Sequence, residues 1–338
     1  SLLLLLAAAA AVPAQEKQGV LLLHSYTSTL SWTREQERGI LGAVAEGRTV
    51  DSRLELFIEY MDTKRANSGR YYQRLADLLE TKYPPGSVDY IVATDNNALE
   101  FLRIYRDQLF GPVPLVFSGV NHYEAELSRG LTDVTGVTEV IDYEAFLDLI
   151  ERFHPDLKRV VTPWDGTVTA TRNSVRFLPL ARERGIPVYQ WRDLGYQETM
   201  EFLSSLGEDE PILLISSLRG PSGEFMEYER AAQQIRSVTE APIYGAWRFF
   251  LGHGVVGGPL IDGESLGRRA GEYLLRIVAG EDADAIPVDR SPEPRLLFDY
   301  RELRRFGISF SRMPEGSVIL NRPLPIIREY PVPVTLVM

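Results

Sequence analysis

Four apolar segments of this chain each run straight into a small polar cluster. Leu21-Leu22-Leu23 leads into His24-Ser25-Tyr26, and Ile91-Val92-Ala93 into Thr94-Asp95-Asn96-Asn97. Leu115-Val116-Phe117 leads into Ser118-Gly119-Val120-Asn121, and Val160-Val161 into Thr162-Pro163-Trp164-Asp165-Gly166. Continuous apolar runs of this kind are the signature of parallel strands covered by helices on both faces. Polar residues at their carboxyl ends fall where an open α/β sheet takes its ligand. The pattern predicts an α/β chain that binds a small polar molecule.

Strands are expected over 19–23, 54–60, 88–93, 113–117 and 134–140, with helices over 32–45, 68–82 and 98–109. The alternation then restarts, with helices over 143–153, 169–184, 197–206 and 224–238 and strands over 159–162, 188–192, 212–216 and 243–247. Two successive βαβ series predict two doubly wound, Rossmann-like lobes. The length of 338 residues fits two cores better than one. A helix over 266–278, a strand over 295–298, a helix over 300–306 and an irregular tail from Pro314 complete the pattern. The expected boundaries are 15–140 plus about 255–285 for lobe 1 and 141–254 plus about 286–313 for lobe 2. A tail over 314–338 leads toward a membrane span.

The run over 2–12 is apolar throughout but shorter than the ~20 residues of a spanning helix. With the small residues Val12-Pro13-Ala14 after it, the run predicts a partial signal peptide over 1–14 and a mature start near Gln15, outside the cytoplasm. A positive n-region would precede Ser1 in the complete signal; a buried strand or core helix is the alternative. The absence of cysteine excludes disulfides, thiolate metal sites, cysteine nucleophiles and a lipid-modified cysteine. A net charge of -11 argues against nucleic acid or anionic lipid as partner.

Several segments in order carry a family resemblance: His24-Ser25-Tyr26 with Ser31-Trp32-Thr33, Glu59-Tyr60-Met61-Asp62-Thr63-Lys64-Arg65, Phe117-Ser118-Gly119-Val120-Asn121, Tyr244-Gly245 with Trp247, Leu251-Gly252-His253-Gly254-Val255-Val256-Gly257-Gly258, and Phe306-Gly307-Ile308 with Pro314-Glu315-Gly316. Over roughly 19–325 the chain resembles the ABC transporter substrate-binding protein family. It resembles most closely the branch that forms extracytoplasmic sensor domains of bacterial histidine kinases and diguanylate cyclases. The resemblance implies a type I periplasmic-binding fold whose two lobes, joined by hinge crossovers, close on a ligand. In that branch a membrane span and signalling domains follow the motif that reads here Leu320-Asn321-Arg322-Pro323. This chain departs from it, since only the apolar 331–338 stretch follows Tyr330, enough for the first turns of a span or a strand on a lobe surface.

Candidate ligand groups lie at the strand ends. Ser25, Tyr26 and Trp32 follow the first strand, where the next helix offers free N–H groups to an anionic or carbonyl oxygen. Asp95 and Asn96 suit an ammonium and an amide-pairing group, or alternatively cap the following helix. Ser118, Gly119 and Asn121 close this rim, Gly119 allowing close backbone approach. The second series offers Trp164, Asp165 and Thr167, then Ser217 and Arg219. Trp164 either stacks on a planar ligand or packs under its loop. Arg219, the one basic residue of these clusters, is the candidate grip for a carboxylate, with a solvated surface arginine as the alternative. Trp247 is placed where the chain crosses between lobes, with Phe249 and Phe250 in the core.

The match of Gly252, Gly254 and Gly257 to a dinucleotide fingerprint is rejected, because Gly258-Pro259-Leu260 continues as extended chain and Pro259 opposes an early helix. These glycines are expected instead to supply hinge freedom at a crossing. His24, His122, His154 and His253 show no metal-ligand spacing, and neither a nucleophile elbow nor a phosphate-gripping loop occurs. Pairs such as Asp282 with Asp284 read as solvated charge. No cofactor is expected. Three functions follow: a sensor domain signalling to a kinase or cyclase in the same chain, a free solute-binding component serving an ABC permease, and an exported α/β enzyme on a small polar substrate. The partner in the first two is a small polar ligand; Asp95, Asp165 and Arg219 with the tryptophans suit an amino-acid-like zwitterion.

Overall fold

Gln18–His24 forms β1, the strand around which the first sheet is built. In the computed structural model, which describes residues 17–47, 54–166, 168–192, 194–216, 218–290 and 292–323, it is followed by α1 (Ser31–Gly47), β2 (Leu54–Tyr60), α2 (Gly69–Lys82), β3 (Tyr90–Thr94), α3 (Asp95–Leu109), β4 (Leu115–Asn121) and β5 (Val134–Glu139). Thr167, Ser217, the 1–14 leader and the tail beyond 323 lie outside the described residues. The sheet order is β2-β1-β3-β4-β5, with β1 parallel to both β2 and β3, and β3 parallel to β4.

The apolar runs behave as doubly covered strands. Leu21, Leu23, Ile91, Ala93, Leu115 and Phe117 pack in one cluster with Ala76 and Leu79 of α2 and Leu99, Phe101 and Leu102 of α3. The alternate residues Val20, Leu22, Val92 and Val116 are equally buried, so the opposite face is covered too.

The second series gives α4 (Tyr143–Phe153), β6 (Val160–Pro163), α5 (Val168–Glu183), β7 (Val188–Trp191), α6 (Tyr196–Ser204), β8 (Ile212–Leu214), α7 (Tyr228–Val238) and β9 (Ile243–Gly245). Its sheet is parallel throughout, in the order β7-β6-β8-β9. The chain ends with β10 (Gly257–Leu260), α8 (Gly263–Val278), β11 (Arg295–Asp299), α9 (Tyr300–Arg305) and β12 (Val318–Leu320). In this third sheet β11 is antiparallel to β10 and parallel to β12. The tail from Pro314 is thus not wholly irregular: Val318, Ile319 and Leu320 pair with Leu297, Phe298 and Asp299.

The chain divides into two compact units. Unit 1 comprises 1–27, 38–137 and 267–288; unit 2 comprises 28–37, 138–266 and 289–338. Residues 255–266, expected in the first lobe, group with unit 2 because β10 forms its ladder with β11. The 252–258 glycines therefore lie inside a unit rather than at a crossing, and their freedom serves packing. A Cβ on Gly257, at φ 115°, would stand 2.1 Å from the Leu297 carbonyl oxygen, and one on Gly258 would stand 2.6 Å from the Phe146 ring. Gly257 and Gly258 belong to a strand, as the extended reading of this stretch requires. Among the described residues no helix is long and apolar enough to cross a membrane.

Candidate functional site

Each parallel sheet has a point where the winding reverses. In unit 1 it lies between β1 and β3, and in unit 2 between β6 and β8, because the chain adds one strand on one side and then returns to the other. At such points the following helices leave to opposite faces and a crevice opens at the strand ends.

At the unit 1 switch point the polar side chains are tied together. Ser25, fully buried, donates its hydroxyl hydrogen to the Thr94 carbonyl at 2.6 Å and accepts from the Ala98 N–H at 2.8 Å. It caps α3 from the loop that follows β1. Neither Asp95 nor Asn96 is the cap: the helix starts at Asp95, its N-cap is Thr94 with no side-chain cap bond, and both residues sit in the first turn. Asp95 is 3% exposed with φ 67°, a left-handed conformation that a non-glycine residue adopts at some cost and that clusters at binding sites. Asn96 and Asn121 clamp each other, the Asn96 amide donating to the Asn121 carbonyl at 2.9 Å and the Asn121 N–H donating back at 3.0 Å. Asn97 donates to the Thr63 hydroxyl, which donates to the Ser25 carbonyl, both at 2.7 Å.

Tyr26 is half-buried, with the Lys64 ammonium 4.6 Å from its ring centroid. Ser118 and Gly119 do not form a loop. They continue β4, which runs on to Asn121, and both are buried, Gly119 with φ 69°.

In unit 2, Trp164 and Asp165 stand half-buried after β6. Ser216, two residues beyond β8, donates to the Pro163 carbonyl at 3.1 Å, closing the switch point between these strands. Sequence reasoning missed Arg192. Its guanidinium lies 4.8 Å from the Trp164 ring centroid, within reach of a cation–π contact. The strand expected to include it ends at Trp191, so Arg219 is not the one basic residue at these strand ends. Arg219 is exposed, and its backbone bridges to Phe225 in a small turn.

Trp32 and Trp247 do not join Trp164. Both are buried in an aromatic cluster of unit 2: Trp32 meets Phe249 edge-on at 6.3 Å, and Trp247 stacks on Phe249 at 5.9 Å. Trp247 also donates its indole N–H to Glu139 at 3.0 Å. It lies within unit 2 rather than at a crossing. Phe249 and Phe250 are buried, as expected of core residues.

A small apolar cavity of about 10 Å³, room for no more than a water, lies at the ends of β6, β7 and β8, lined by Pro163, Trp191, Leu214, Tyr228 and Phe250 among others. Asp133, Asp282 and Asp284 approach within 4.8 Å in unit 1, where the Asp284 carboxylate accepts the N–H groups of Asp133 and Val134. Their observed work is to close this turn. His24 faces Thr94 Oγ1 at 2.9 Å, His154 faces the Tyr244 hydroxyl at 2.7 Å, and His253 faces Gln233 at 2.8 Å.

No protein-family model matches the chain, and no curated protein matches it. Solved structures do. A conserved domain protein from Vibrio cholerae O1 biovar El Tor superposes with a TM-score of 0.64 at 16% identity, over 90% of this chain and 99% of its own. The ligand-free, open form of a substrate binding protein with adhesive properties from Clostridium difficile gives 0.65 at 14%, over 90% and 99%. An ABC domain from Streptococcus pneumoniae in complex with L-Trp gives 0.65 at 14%, over 89% and 97%. With the strand orders above, these likenesses define the fold as that of the type I periplasmic-binding proteins, α/β with two doubly wound units.

Proposed function

We propose that this chain is an extracytoplasmic binding module for a small polar ligand of amino-acid class, and that it serves as the sensor portion of a membrane-attached histidine kinase or diguanylate cyclase. The observation that carries the binding reading is the unit 1 switch point. There Asp95 is held in a left-handed conformation beside the Asn96–Asn121 clamp, a pre-organised set of polar groups at the place where this sheet class takes ligands. Asp95 suits an ammonium, while Asn96 and Asn121 are fixed by each other. Trp164 and Asp165 stand at the equivalent point of unit 2. The L-Trp complex of the Streptococcus pneumoniae protein supports amino acids as the first ligands to try.

Thermal melting of the purified protein against L-tryptophan, L-leucine and other amino acids, purines and organic acids tests the ligand class. A true ligand at 100 times its Kd adds about 2.7 kcal/mol of stability. An unchanged melt with every amino acid, beside a rise with another class, overturns the amino-acid reading. A second reading, the free binding component of an ABC importer, is favoured by the two similar proteins described as a substrate binding protein and an ABC domain. The full-length gene separates the roles: an apolar run of ~20 residues beyond Pro323 supports the sensor, and a stop codon supports the importer.

A further inference from the structure

We infer that Arg192, seated on the ring of Trp164, is the guanidinium that receives a ligand carboxylate in unit 2. The inference rests on the amino-acid reading above and adds to it a specific anion-binding group.

The placement follows from the sheet. Pro163 of β6 pairs with Trp191 of β7, and the Trp164 N–H donates to the Trp191 carbonyl at 3.3 Å, so the next residues of the two strands leave the ladder side by side. Trp164 thereby occupies the switch-point loop and Arg192 the adjoining strand end, with 4.8 Å between guanidinium carbon and ring centroid. A second anchor fixes the arginine. One of its terminal nitrogens donates to Gln190 Oε1, the Gln190 amide donates to the Ser174 hydroxyl at 2.8 Å, and Ser174 donates to the Ala170 carbonyl at 2.7 Å. Ser174 is buried, so this chain of hydrogen bonds is rooted in α5.

Two properties make this arginine suited to an anion. A guanidinium over an aromatic ring uses its face for the stacking and keeps its in-plane N–H groups, the ones that grip a carboxylate in bidentate fashion. It also has no carboxylate partner among the described residues, whereas Arg159, Arg184, Arg248 and Arg295 of the same unit are engaged by Glu210, Asp148, Asp262 and Asp262 respectively. The exposed guanidinium is therefore oriented before any ligand arrives, which reduces the ordering cost of binding.

Calorimetry on the full chain with three probes tests the inference: L-tryptophan, indole-3-propionate, which keeps the carboxylate and lacks the ammonium, and tryptamine, which does the reverse. Arg192→Gln is expected to weaken L-tryptophan and indole-3-propionate about tenfold to a hundredfold and to leave tryptamine unchanged. Arg192→Lys, keeping charge without the fork, should recover part of the loss, and circular dichroism of both variants should match the wild type. L-tryptophan affinity that holds in Arg192→Gln overturns the inference and leaves the amino-acid reading standing; so does a loss confined to Arg219→Gln. Arg192-dependent uptake of indole-3-propionate without L-tryptophan binding keeps the carboxylate grip and removes L-tryptophan as the ligand. A wild type that binds neither carboxylate overturns the inference, and the amino-acid reading is then decided by the melting screen.

Discussion

Among the described residues Arg106 heads the fully buried side chains by volume, at 1% exposure. A guanidinium there is tolerable only if its N–H groups are used, and they are: one terminal nitrogen donates to the carbonyls of Thr132 at 2.7 Å and Val113 at 3.3 Å, and Nε donates to Asp107 at 2.9 Å. Arg106 thus ties α3 to the segments entering β4 and β5. Arg106→Leu is expected to cost about 2 kcal/mol in urea unfolding, because two part-buried carbonyls lose their donor; a loss under about 1 kcal/mol would mean that water replaces it. Ser25 acts in the same way at smaller scale. Ser25→Ala removes one donor and the cap on Ala98, for an expected loss of about 1–2 kcal/mol by the same measurement. A stable Ser25→Ala protein that no longer binds ligand would instead put Ser25 in direct contact with it.

At the scale of elements, α4 is fastened to β9 by its C-cap residue His154, whose Nε2 lies 2.7 Å from the Tyr244 hydroxyl. Burial pulls the imidazole pKa down from 6.5 to about 4. Between those values the unfolded chain binds a proton that the folded chain refuses, so this site's contribution is complete above pH ~6.5 and is lost as pH falls toward ~4, by up to ~3 kcal/mol. Asp262 adds to the acid loss at lower pH: burial opposes its charge, but the hydrogen bond from Arg295 and the charges of Arg248 and Arg295 outweigh it and hold its pKa down. Burial raises the pKa of Glu302, which acts with the opposite sign. Urea midpoints of His154→Gln should change less between about pH 7 and 4.5 than those of the wild type; equal slopes would remove His154 as the cause. Element order was legible in the sequence because apolar runs and helix-period faces alternate from β1 to β9. What escaped were features set by pairing. Ser118, Gly119 and Val120 look like a break but continue β4. β7 ends one residue early, which hid Arg192. Trp32 opens an expected helix and Trp247 ends an expected strand, positions that read as a ligand rim, yet both find Phe249, a partner that only the folded chain brings to them.

For the whole molecule, the division of the chain has a consequence for cooperativity. Each unit is assembled from three separate stretches. Unit 1 is completed by Gly271 of α8, whose missing Cβ leaves room for the Ile40 carbonyl and Ala43 of α1. Unit 2 is completed by Trp32, brought to Phe249 from the short 28–37 stretch. Neither core closes until chain belonging to the other has been traversed. All four tryptophans, Trp32, Trp164, Trp191 and Trp247, belong to unit 2, whereas helices are shared between both. Tryptophan fluorescence therefore reports unit 2 alone, and far-UV circular dichroism reports the whole chain. If the interleaved connectivity makes unfolding a single event, the two signals give the same urea midpoint and the same slope. A separation of more than about 0.3 M between the midpoints would show that the units open independently, despite the stretches each takes from beyond the other.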